Sequence, residues 1–83
     1  MAADHARINA VIAALNKVVE HLEYLDETDD VAVSTYNRWI EMLDGVVEGS
    51  WKSLLLDGEN RMASEMIMHS EAAIAFLEAH RDA

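Results

Sequence analysis

Four histidines and a dense set of carboxylates are the side chains with which this chain could do chemistry. Glu65 and His69 stand four residues apart, and His80 follows eleven residues later. On a helix the three fall within about 60° of one another, and a carboxylate with two imidazoles can hold a divalent metal. The spacing argues against such a site. Helical di-metal centres use Glu-x-x-His pairs, and none occurs here. His80 would also stand about 16 Å from His69 along the helix axis, too far to share one ion within a monomer. His5 and His21 fall on the outer side or flank of an earlier segment. No metal and no cofactor is expected, and Glu65, His69 and His80 read as polar residues bordering an apolar stripe.

Six carboxylates, Glu20, Glu23, Asp26, Glu27, Asp29 and Asp30, crowd into eleven positions. Paired carboxylates can exchange protons or bind calcium, but the Asp-x-Asp-x-Asp-Gly spacing of the calcium loop is absent. Acid–base catalysis would need a pocket that shifts one of their pKa values. The plain reading is a solvated capping turn; the functional one is a contact point for a basic partner, carried by Glu23, Asp26, Glu27, Asp29 and Asp30. Among the aromatics, Tyr36 and Trp39 belong to a helical stripe and read as core. Trp51 lies off that stripe and is the expected interface anchor, since Trp is enriched at binding hot spots. Met62 and Met66 read as core, whereas Met68 points outward. No nucleophile triad, phosphate-cradling glycine loop or zinc spacing occurs, so no catalytic residue is expected.

The elements that must position these residues are helices. Ile8, Leu15 and Leu22 recur every seven residues, and Val11, Val18 and Leu25 fill the positions between them. With Ile12 and Val19 they form the broad stripe of a bundle helix over about residues 4–25, capped by Asp4. The acidic stretch 26–30 is a connection, where Thr28, Asp29 or Asp30 can cap the second helix. A second stripe, Tyr36, Trp39, Ile40, Leu43, Val46, Val47 and Leu54, spans about 31–57 and ends at Asp57-Gly58. Met62, Met66, Ala73, Ile74 and Leu77 make a third, over about 59–80, with Arg81 suiting its negative pole. Three long helices with short connections predict an all-α, up-down-up three-helix bundle forming a single domain over 1–83.

The second helix either continues, straight or bent, or breaks at Gly45 or Gly49. If it continues, Met42, Gly45, Gly49, Ser53 and Leu56 share its back face, and small residues four apart can admit another helix closely. That face would serve self-association, and a homodimer is expected in any case because rods this long leave apolar flanks uncovered around a three-helix core. If it breaks, the face does not exist. Each interior glycine costs about 1 kcal/mol relative to alanine, which weighs toward a break.

Composition bounds the function. The chain has 83 residues, 16 Asp+Glu against 6 Lys+Arg, a net charge of −10, and neither cysteine nor proline. The absence of cysteine removes disulfides, thiolate metal sites and a cysteine nucleophile. The longest apolar run, Ala10 to Leu15, is far short of the ~20 residues that span a bilayer. The start lacks the basic region and apolar core of a signal peptide, so a cytoplasmic location is expected. An apolar content of 52% is too high for a disordered acidic tail. No segment is net basic, which disfavours direct nucleic-acid binding and attraction to anionic membrane. Glu48–Lys52 and Arg61–Glu65 are the clear i, i+4 ion pairs, and most other acids have no helical cation beside them.

In size and charge the chain resembles small acidic anti-defence proteins of phages and plasmids, a likeness of composition that no motif carries. The expectation is a non-enzymatic protein that acts by protein–protein binding, inhibiting or mimicking at a basic partner that handles nucleic acid. The alternative is a helical homo-oligomer holding a small ligand or metal at a subunit interface.

Overall fold

A computed structural model describes residues 2–27, 29–47, 49–56 and 62–82. These form three α-helices and one 3₁₀ segment, and no strand occurs among them. Helix α1 runs Ala2–Leu22, α2 Asp30–Glu41 and α3 Ala63–Asp82, with the 3₁₀ segment Gly49–Leu54 between α2 and α3. The fold is an all-α three-helix bundle of 39 × 20 × 17 Å.

The apolar stripes read from the spacing meet in one core. Ile8, Val11, Leu15 and Leu22 of α1 are buried together with Tyr36, Ile40 and Leu43 and with Met66, Ala73 and Leu77 of α3. Helix α3 presents small side chains inward at Ala63, Ser70 and Ala73, leaving room for the branched residues of α1. The Ser70 hydroxyl is buried there without a hydrogen bond among the described residues. Helix α1 starts at Ala2, so Asp4 lies in its first turn and not at its cap. Met62 stands 53% exposed just before α3 instead of on its inner stripe.

The second helix breaks. It ends at Glu41 and a turn comes next, in which the Leu43 carbonyl accepts from the Val46 and Val47 N–H groups at 2.9 Å each. Gly45 sits in that turn at φ +82°, a left-handed conformation that costs other residues about 1–2 kcal/mol. A continuous rod of 27 residues would run about 40 Å, some 9 Å beyond α1, leaving its last apolar residues with nothing to pack on. Folding back instead buries Val47, Trp51 and Leu56 in the shared core. The expected self-association face of Met42, Gly45, Gly49, Ser53 and Leu56 is therefore not assembled, and Leu56 is only 8% exposed. Trp51, expected as an interface anchor, is 7% exposed and belongs to the core for the same reason.

The fold-back adds a return leg to the bundle path. A continuous second helix would start α3 at the end where α1 begins. Here α3 starts beside the end of α1: the Ala63 N–H donates to the Asp26 carbonyl at 3.0 Å, and Glu27 and Met62 form an antiparallel bridge. At the other end the Arg81 guanidinium donates to the Asn9 side-chain oxygen at 2.7 Å. Both α2 and α3 therefore run antiparallel to α1. The expected Asp57-Gly58 stop, the Thr28 cap and the Glu48–Lys52 and Arg61–Glu65 pairs involve residues outside those described.

Candidate functional site

An irregular return leg leaves backbone groups that no helix satisfies, and three polar side chains meet them. The Leu54 carbonyl accepts from the Tyr36 hydroxyl at 2.7 Å and from His69 Nε2 at 2.8 Å. A carbonyl can only accept, so Nε2 of His69 carries its proton. Asn37 grips Leu56 at both backbone groups: its Nδ2 donates to the carbonyl at 2.9 Å, and its Oδ1 accepts from the N–H at 2.8 Å. The Tyr36 and His69 rings meet edge-on at 5.5 Å. Burial raises the Tyr36 hydroxyl well above its ordinary pKa. His69, read from sequence as a solvated border residue, is thus a structural donor that fastens the return leg. No periodicity signals that role, because its acceptor lies fifteen residues away on an irregular segment.

The other histidines stay apart from it. His80 stacks on Phe76 at 6.4 Å, and His21 contacts Asp29 Oδ2 at 3.0 Å. Among the described residues, no three His, Asp or Glu side chains converge where a metal ion could sit.

The acidic connection is built from the end of α1 and the start of α2. Asp29 caps α2, with its Oδ1 accepting from the Ala32 N–H. The His21 contact, and then this N–H, hold the Asp29 carboxyl below its usual range. Asp26 gives its backbone carbonyl to α3 while its side chain remains exposed. Glu23, Asp26, Glu27 and Asp30 are all exposed and have no ion-pair partner among the described residues. The carboxylates read from sequence as a contact point therefore do stand together in the fold. They project from a backbone pinned by the Leu25 N–H donating to the Leu22 carbonyl, by the Asp26 and Asp29 carbonyls accepting from the Ala63 and Val33 N–H groups, and by the bridge of Glu27 to Met62.

A second surface, not foreseen, lies between α1 and α2. It is a groove of about 280 Å³ lined by Ala14, Lys17, Val18 and His21 from α1 and by Val31, Ala32, Thr35 and Trp39 from α2. Trp39, expected as plain core, is only half-buried, and Val31 is 71% exposed. The signal was present in the sequence: Val31, Thr35 and Trp39 recur every four residues and so line one flank of α2. A more polar hollow of about 350 Å³ lies beside the turn, lined by Asp44, Gly45, Trp51 and Lys52.

No helix among the described residues is long and apolar enough to cross a membrane. Comparison with known proteins gives no match to a protein-family model, a curated protein or a solved structure.

Proposed function

We propose that this chain is a small non-enzymatic binding protein that engages a basic surface of another protein through the α1–α2 connection. One observation carries the reading: Glu23, Asp26, Glu27 and Asp30 project, unpaired among the described residues, from a backbone fixed by hydrogen bonds. Side chains carried on an already ordered backbone spare the complex the cost of ordering that segment when a partner docks. The net charge of −10 adds a long-range field that speeds encounter with a cationic surface. A partner whose basic surface ordinarily holds nucleic acid fits this chemistry, with the acids standing where phosphates would lie. The protein then acts by occupancy, as an inhibitor or mimic, in the cytoplasm.

The test is capture of the partner in the native host by cross-linking, then titration of the purified pair across ionic strength. Affinity should fall steeply with added salt and should fall again for the combined Asp26→Asn, Glu27→Gln and Asp30→Asn variant. An affinity that stays flat with salt would overturn the charge-based reading.

A further inference from the structure

The groove between α1 and α2 has a mostly apolar lining in which the ionisable groups are Lys17 and His21, with Asp29 touching His21 at one end. No carboxylate among the described residues lines it, whereas Lys17 and His21 do. Arg7 lies seven residues before Ala14 and so extends the same face of α1; Arg38 stands beside Trp39 on the outer edge of α2. Arg7, Lys17 and Arg38 are exposed and form no ion pair among the described residues. They are half of the chain's six Lys+Arg. The floor is apolar, formed by Ala14, Val18 and Trp39, with exposed Val31 on its rim.

Shape and charge together name an occupant. The lining spans two turns on each wall, from Ala14 to His21 and from Val31 to Trp39, or about 11–12 Å. Two antiparallel helices with an apolar slot two turns long offer a third helix its anchor positions i, i+3, i+4 and i+7. Lys17 and Arg38 on opposite rims select carboxylates on both flanks of that helix. A second copy docked face to face across a two-fold axis would set these same cations against one another. We propose that the α1–α2 groove receives an acidic amphipathic helix from a partner protein. This surface is separate from the acidic connection and uses different residues, although the two adjoin at the His21–Asp29 contact.

The probe is a synthetic peptide of about 15 residues with leucine at i, i+3, i+4 and i+7 and glutamate on the flanking positions. A second peptide carries lysine in place of each glutamate. Binding to the full chain is monitored by backbone amide NMR shifts and by fluorescence, with Trp39 as the half-exposed reporter. The glutamate peptide should bind, with shifts confined to the two groove walls. Lys17→Glu and Arg38→Glu together should weaken it by about tenfold or more, and added salt should weaken it further. Circular dichroism checks that this variant is folded; if it is not, Val31→Asp on the exposed rim replaces it, with the same loss expected. The proposal is overturned if neither peptide binds, if the lysine peptide binds as tightly, or if the shifts fall outside the groove. It is equally overturned if sedimentation shows a dimer whose dilution moves the groove resonances.

Discussion

At the scale of single residues, the polar groups that matter most to the fold are those that fasten the return leg. Tyr36 was legible from spacing as a core ring, but its hydroxyl was not, because its acceptor is the backbone of Leu54, eighteen residues on. Tyr36→Phe keeps the ring and removes the donor, so it should cost about 0.5–1.5 kcal/mol in chemical denaturation. Burial raises the Tyr36 pKa above its ordinary value of 10.0, so the folded state holds its proton more tightly than the unfolded state. The stability this supplies is complete below about pH 10 and is lost as the pH rises further. A melting-temperature profile from pH 8 to 12 should therefore fall at its alkaline end, and Tyr36→Phe should flatten that fall. Asp29 works in the opposite sense: its lowered pKa adds stability above the carboxylate range, lost as the pH falls through the folded-state value.

At the scale of elements, the two glycines of the second segment do different work, which their shared residue type hid. Gly45 takes a left-handed φ of +82° in the turn that ends α2, whereas Gly49 opens the 3₁₀ segment without a positive φ. Gly45→Ala should destabilise by about 1–2 kcal/mol. Gly49→Ala meets no atom within 4 Å and should be neutral or stabilising by up to about 1 kcal/mol. Thermal melts of the two single variants separate these outcomes, and equal losses would show that both glycines serve the turn. The break also explains why the small-residue face at 42, 45, 49, 53 and 56 looked plausible in sequence. Helical periodicity assumes continuity, and a residue at positive φ ends it. Helix α3, expected over about 59–80, runs Ala63–Asp82 with Met68, Ala72, Ala75 and Ala79 exposed on its outer face.

At the scale of the whole molecule, the bundle is thin, and α1 contributes to its core along most of its length. Leu15 and Leu43 are both fully buried, one on α1 and one in the turn after α2. Each leucine-to-alanine change should cost about 2–5 kcal/mol by denaturant titration, a large part of the ~5–15 kcal/mol that holds a domain folded. Charge is distributed just as unevenly as packing. Six of the sixteen acids fall within residues 20–30 at the α1–α2 connection, and half of the Lys+Arg residues fall by position along the groove beside it. A net charge of −10 conceals that division, since a sum carries no direction.

Sequence alone determined the all-α class, the three apolar stripes, the acidic connection and the outward Met68. Each comes from a period or from local composition, which a helix converts directly into a face. Tertiary structure decided the break at Gly45, the burial of Trp51 and Leu56, the antiparallel course of α3 against α1, the donor role of His69 and the groove between α1 and α2. The physical reason is common to all five. Each depends on which distant segment lies alongside, and burial of apolar residues beyond the reach of α1 is gained only when the chain turns back on itself.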